Sequence, residues 1–203
     1  MIIKHGNNAL SSVTAFPSAV PTGKPVLLST ATASSSSSIE FTSGIDSTYD
    51  IYQFEFNSIH PASNDVSFKV NFSTDSGSNY NVTKTTSQFQ AYHKEDDTAT
   101  LLGYVTTDDL AQSTSDQLIS GLQHNNNDSS SSGMMYLFNP SSTTFVKHFI
   151  VRFNYMFRAN YSIDLYTAGY CNTTSDIDAV IFRMSSGNID AGTIKMYGIS
   201  AWV

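Results

Sequence analysis

The sequence predicts an all-β protein, an antiparallel two-sheet sandwich of jelly-roll type that follows an extended N-terminal arm. Short runs of alternating apolar and polar residues recur along the chain, and clusters of turn residues separate them. The 203 residues include 13 Phe and 11 Tyr, yet only 13% are charged. Aromatic and β-branched residues favour strands. About ten short strands with turn chemistry between them indicate a sandwich or barrel.

The first 25 residues are predicted to form a docking arm, and residues 26–203 to form the β-sandwich domain. Pro17, Pro21 and Pro25 recur at every fourth position among small side chains. Because proline fixes φ and removes a backbone donor, this stretch is expected to be extended. Two interpretations stay open: a disordered leader, or an arm that becomes ordered on a neighbouring subunit. In the second, the three prolines belong to an interface.

The strand pattern is clearest at 49–56, where Tyr52, Phe54 and Phe56 alternate with Gln53 and Glu55. This period of two is typical of a half-buried strand. The predicted strands are 25–32, 39–41, 49–56, 66–72, 88–93, 134–138, 144–157, 162–170, 177–184 and 192–202.

The segments between these strands are predicted mainly as loops. The polyserine 34–38 is expected to be a hinge or a tight exposed loop, and 75–79 a turn. The polar stretch 124–132 reads HNNNDSSSS and is expected to be a surface insertion. Only 106–122 suits a helix, with Asp108 or Asp109 as its cap.

Charge and hydropathy exclude several classes of partner. The net charge is −7 and basic residues form no run, so nucleic-acid binding is not expected. No stretch of about 18 apolar residues occurs, so membrane insertion is not expected either. The N-terminus lacks the apolar segment of a signal peptide.

The sequence carries no recognisable catalytic set, and the protein is predicted not to be an enzyme. Cys171 is the single cysteine, and a buried, inert thiol is the expectation for it. The five histidines form no pair at metal-ligand spacing, and no phosphate loop or nucleophile elbow occurs. No catalytic, cofactor-binding or metal-binding residue is therefore predicted. The acidic clusters at 95–97 and 108–109 are expected to be solvated loops, with calcium binding as the alternative.

Tyrosine and arginine are concentrated between residues 152 and 170. Both residue types are frequent at interface hot spots, although tyrosines also pack in sandwich cores with their hydroxyls toward solvent. Both interpretations stay open. The candidate interface residues of this stretch are Arg152, Tyr155, Arg158, Tyr161, Tyr166 and Tyr170.

Three segments resemble parts of small β-rich structural proteins from the particles of marine tailed bacteriophages. They are 184–199 (MSSGNIDAGTIKMYGI), 30–56 (TATASSSSSIEFTSGIDSTYDIYQFEF) and 138–149 (FNPSSTTFVKHF). The resemblance implies a virion structural protein, either a capsid decoration or cement protein or a component of a tail fibre or appendage. The expected partners are other virion proteins, and the expected location is the virion after synthesis in the host cytoplasm. A symmetric homo-oligomer is also expected, with a trimer favoured.

Two other functions remain as alternatives. The first is a carbohydrate-binding module for attachment to a host surface glycan, which predicts exposed aromatic platforms beside Asn and Asp. The weaker one is a polysaccharide depolymerase, since paired carboxylates carry out glycoside hydrolysis. Neither alternative requires a cofactor.

Overall fold

The computed structural model describes residues 24–200, and all the regular elements in that range are β-strands. The strands are β1 (Val26–Ser36), β2 (Ile39–Phe41), β3 (Ile51–Pro61), β4 (Val66–Ser73), β5 (Lys84–Lys94), β6 (Thr100–Tyr104), β7 (Gln117–Gln123), β8 (Ser131–Phe138), β9 (Lys147–Phe157), β10 (Tyr161–Cys171), β11 (Ala179–Met184) and β12 (Ile189–Ile199). Pro17 and Pro21 lie outside the described residues with most of the predicted arm. Pro25 is exposed directly before β1.

The strands form two sheets. The larger has eight strands in the order β1-β12-β3-β8-β9-β10-β5-β6, and the smaller has four in the order β2-β11-β4-β7. Every pairing between neighbouring strands is antiparallel. The predicted all-β fold with two antiparallel sheets is confirmed.

Phenylalanines of both sheets form the centre of the core. Phe56 of β3 packs edge-on against Phe68 of β4 and Phe182 of β11, with ring centroids 5.9 and 5.0 Å apart. Phe54, two residues earlier on β3, lies 5.4 Å from Phe182. All four side chains are buried. The alternation of residues along β3 therefore places its aromatic face against the smaller sheet, as the sequence pattern predicts.

Away from the phenylalanines, β7 joins the larger sheet through a polar network. Thr86 of β5 donates its hydroxyl to the Gln117 side chain (2.6 Å), and the Gln88 amide donates to the Thr167 hydroxyl (2.7 Å). All four residues are buried. Because a buried polar group is costly when unpaired, the Thr86–Gln117 bond and a further bond from the Gln88 amide to the Leu118 carbonyl (2.5 Å) fix how β7 lies against β5.

Two expectations about the loops are wrong. No helix forms at 106–122; its last residues belong to β7, which pairs with β4. Apolar residues there lack a sustained helical period, and Ser and Thr compete for backbone hydrogen bonds. The polyserine is not a hinge throughout, because Ser34–Ser36 continue β1 and pair with β12. No helix within residues 24–200 is long and apolar enough to cross a membrane.

Gly192 occupies a bulge between β12 and β3. Its φ is +125°, and a Cβ there would lie 2.8 Å from the Ser58 carbonyl oxygen. Only glycine adopts this conformation without strain, so the local register of the two strands depends on it.

Candidate binding surfaces

Strand periodicity divides the predicted Tyr/Arg stretch between two surfaces. Arg152 and Tyr166 point to the outer face of the larger sheet, which is the face turned away from the smaller sheet. Tyr155 lies on β9 at the opposite parity from Arg152 and is buried on the inner face. Tyr161 is half-buried and packs with the same inner cluster. A single sequence cluster therefore supplies two different sites, because successive residues of a strand point to opposite faces.

The outer face carries one row of directly opposed residues that crosses all eight strands. From β1 to β6 the row is Thr30, Lys195, Glu55, Met134, Arg152, Tyr166, Phe89 and Tyr104. We call this the outer row. Opposed residues of antiparallel strands have neighbouring side chains, so the row forms a continuous surface.

The centre of the outer row is held rigid by its own contacts. The rings of Tyr166 and Phe89 stack nearly parallel, with centroids 4.7 Å apart and an interplanar angle of 5°. The Arg152 guanidinium lies 4.9 Å from the Tyr166 ring centroid and donates two hydrogen bonds, of 3.0 and 2.8 Å, to the Asp164 carboxylate. The same carboxylate raises the pKa of Arg152 above its ordinary value. This arrangement pre-orders the surface, which lowers the entropic cost of binding a partner.

Apolar side chains surround that centre and remain exposed. Leu102 is 76% exposed on the edge strand β6, and Ile150 on β9 is 48% exposed. Met134, Phe89 and Tyr104 of the outer row are also exposed. Soluble proteins usually expose apolar residues one at a time, whereas this apolar surface spans five adjacent strands. Contiguous patches of this kind mark interaction sites.

The inner face forms a second candidate site, a groove between β7 and the strands β5, β9 and β10. Its volume is about 600 Å³, within the range of small-molecule sites. Tyr92 and Tyr161 meet edge to face at 5.2 Å, and Phe157 lies 6.0 Å from Tyr161. Burial raises the pKa of Tyr155, which closes the end of the groove near Gly121. We call this the aromatic groove.

Polar groups line the same groove. Asp108, Gln90 and Thr107 lie among its aromatic residues. Burial raises the pKa of Asp108, and the neighbouring Asp109 adds to the effect. Aromatic rings with a few convergent polar groups are typical of ligand sites. Tyr155 and Tyr161 are candidate residues from the sequence, but no sequence pattern predicted the groove, because its residues come from distant strands and the loop before β7.

The remaining candidate residues lie apart from both surfaces' centres. Arg158, in the turn after β9, donates a 2.6 Å hydrogen bond to Asp65, and this contact lowers the pKa of that carboxyl. Tyr170 lies opposite His148 near the far end of β10, with ring centroids 6.1 Å apart. The structure brings neither residue to the outer row, and Arg158 meets the groove only through Phe157, whose ring centroid lies 5.7 Å from the guanidinium.

The acidic clusters use their carboxylates in local contacts. Asp96 accepts a 2.7 Å hydrogen bond from Lys94, Asp97 pairs with His93 at 2.9 Å, and Asp109 accepts from the Tyr104 hydroxyl. Within the described range, no three His, Cys, Asp or Glu side chains converge in a way that could hold a metal ion. Cys171 is fully buried as expected, and its burial raises the pKa of the thiol to about 12.

The fold and these surfaces define a two-sheet antiparallel β-protein with an exposed apolar face and an aromatic groove. No known protein family matches the chain, and no curated protein matches it.

Proposed function

We propose that the chain is a structural protein of a bacteriophage particle that acts by protein–protein assembly and not by catalysis. The observation that carries this proposal is the exposed apolar surface around the outer row, from Met134 on β8 to Leu102 on β6. Surfaces of this kind on soluble proteins are commonly buried by partners. The resemblance of three segments to phage structural proteins supports the same conclusion.

The finer fold in this proposal is a jelly roll with two insertions. Without β5, β6, β9 and β10, the first strand pairs with the last (β1 with β12), and the second with the second-last (β2 with β11). The pairs β3–β8 and β4–β7 complete this nested order across the two sheets. An eight-stranded jelly roll has this order, and viral capsid domains use the fold. The two inserted pairs extend the larger sheet and carry most of the apolar surface.

The proposed occupant of the outer face is a second copy of the chain, in a closed homo-oligomer with a trimer favoured. Arg152 is paired with Asp164, and Glu55 lies opposite Lys195. A hydrogen bond from Asn57 lowers the pKa of Glu55, and the charge of Lys195 lowers it further by a smaller amount. Charges on the face are therefore balanced within each chain. Two copies of a chain with a net charge of −7 can meet there without repulsion at the contact.

The particle itself provides the test of this function. In purified virions of the encoding phage, we expect mass spectrometry and antibody labelling to find the chain on the capsid surface or the tail. A chain that lacks residues 1–25 is expected to fold, since all twelve described strands begin after Pro25, but to be lost from particles. Absence of the full chain from virions would contradict the proposed function. Incorporation of the truncated chain would contradict only the docking role of the arm.

A carbohydrate-binding function is the second candidate, and the aromatic groove favours it. Sugar rings present apolar C–H faces that stack on aromatic rings, and their hydroxyls bind carboxylates and amides. Tyr92, Tyr161 and Phe157 offer the first kind of contact, and Asp108 and Gln90 offer the second. This site is separate from the outer face, so attachment to a glycan and assembly are compatible.

For this second candidate, we expect the full chain to bind host envelope polysaccharide or its oligosaccharides with about micromolar to millimolar affinity by calorimetry. The Tyr161→Ala variant should weaken binding by about 2- to 10-fold, because it removes a stacking platform. Tyr136→Ala, on the outer face, is the matched control and should leave binding unchanged. Failure of the chain to bind any host glycan would exclude the candidate.

A further inference from the structure

We propose that Lys84 and Asn71 form an intramolecular isopeptide bond that joins the two sheets. Lys84 is the first residue of β5 in the larger sheet, and Asn71 lies on β4 in the smaller sheet. The Lys84 amine lies 2.7 Å from the Asn71 side-chain oxygen. The two residues are 0% and 1% exposed. An amine and a carboxamide are thus held together where water cannot compete.

The contacts of the Lys84 amine suit a nucleophile better than a partner in an ion pair. Within residues 24–200, no carboxylate oxygen lies within 4.0 Å of its amine, and its second hydrogen bond goes to the Val82 carbonyl at 2.8 Å. Burial lowers the pKa of Lys84 to about 8. About a tenth of the Lys84 side chains are therefore neutral at pH 7, far more than for a lysine in water, and only the neutral form can attack a carbonyl carbon.

The Asn71 carboxamide is held by groups that suit the reaction. The Phe72 backbone N–H donates to its oxygen at 2.9 Å and would stabilise negative charge that develops there. On the other side, the Asn71 nitrogen donates to the Asp116 carboxylate at 2.9 Å and to the Thr114 carbonyl at 3.1 Å. Arg183 holds Asp116 in place through two 2.8 Å hydrogen bonds.

The reaction needs no oxidant and no cofactor. The neutral Lys84 nitrogen forms a bond to Cγ of Asn71, and the carbonyl oxygen takes up the electron pair. Once that bond has formed, the Lys84 nitrogen shares Cγ with the Asn71 nitrogen that Asp116 already holds. Asp116 then takes a proton from the Lys84 nitrogen and delivers it to the departing nitrogen. The Cγ–N bond of Asn71 then breaks, the carbonyl re-forms and ammonia leaves. The products are one secondary amide and one ammonia.

Such a bond would link the sheets of a chain that cannot form an intramolecular disulfide, since Cys171 is its only cysteine. It is independent of the function proposed above, because it depends only on the buried side chains of β4, β5 and the loop before β7.

Intact mass spectrometry of the folded full chain tests the bond. We expect a mass lower than that of the sequence by one ammonia, and we expect trypsin not to cleave after Lys84, whose amine is acylated. Fragmentation of the peptide 70–94 should give no backbone ions between the two linked residues. A succinimide at an asparagine would also lose ammonia, but it would leave Lys84 cleavable.

Three variants complete the test. Lys84→Arg and Asn71→Ala should retain the full mass of their sequences. Asp116→Ala should slow the mass loss by about 100-fold, the usual scale of general acid–base catalysis. Lys147→Met is the control, since the amine of this second buried lysine bonds the Thr173 carbonyl instead, and it should still lose one ammonia. A wild-type chain at its full sequence mass, or with a cleavable Lys84, would overturn the proposal.

Discussion

Phe182→Ala is expected to destabilise the protein by about 3–5 kcal/mol, the cost of removing a fully buried aromatic ring. Phe182 is 0% exposed, and its ring meets those of Phe41, Phe54, Phe56 and Phe68 at centroid distances of 6.2, 5.4, 5.0 and 6.0 Å. Its removal leaves a cavity between the two sheets that four large neighbours cannot fill without moving the backbone. Urea unfolding followed by circular dichroism measures the loss.

The matched control is Phe145→Ala, because Phe145 is 70% exposed in the loop before β9. This substitution should change the free energy of unfolding by no more than about 0.5 kcal/mol. If the two variants were equally stable, the packing of the phenylalanines between the sheets would be wrong.

Leu102→Glu is expected to weaken self-association by about 30-fold, which corresponds to about 2 kcal/mol, the scale of an interface hot spot. Leu102 is the most exposed large apolar side chain of the outer face, and it lies on the edge strand β6. A carboxylate there would have to lose its hydration when a second copy docks. Ile150→Glu, on β9, should have a similar effect. Sedimentation velocity over a range of concentrations would detect the shift from oligomer to monomer.

Ser186→Glu introduces the same charge on the exposed turn between β11 and β12, away from the outer face. It should leave the oligomer intact. Leu102 and Ile150 are exposed in the single chain. The monomeric forms of both variants should therefore have the same denaturant midpoint of unfolding as the wild-type monomer. A wild-type chain that stays monomeric at every concentration would contradict self-association through the outer face.

The two candidate surfaces and the proposed cross-link lie in different parts of the molecule. The outer row faces away from the smaller sheet, and the aromatic groove lies beneath the inserted strands. The Lys84–Asn71 pair lies between the sheets. In a particle protein, these positions would separate assembly, ligand binding and mechanical reinforcement, so that each can be altered without the others.

The strands that the sequence predicted best are those with one buried face. In β3, Tyr52, Phe54 and Phe56 alternate with polar residues, and the structure buries all three. The sequence missed β6 and β7. Leu101 and Leu102 are adjacent and both exposed at a sheet edge, so β6 has no alternation. In β7 buried glutamines replace apolar residues, because a polar network and not a hydrophobic face holds that strand.

By itself, the sequence determined the all-β class, the antiparallel character that short turns impose and most strand positions, since these follow from local alternation and turn chemistry. Only the tertiary structure decided the strand order, which depends on pairings between residues more than a hundred positions apart, such as Thr30 with Lys195. It also decided that Arg152 and Tyr155 face opposite sides. Contacts such as Lys84 with Asn71 arise where two sheets meet, and no local pattern in a sequence records which side chains will meet there.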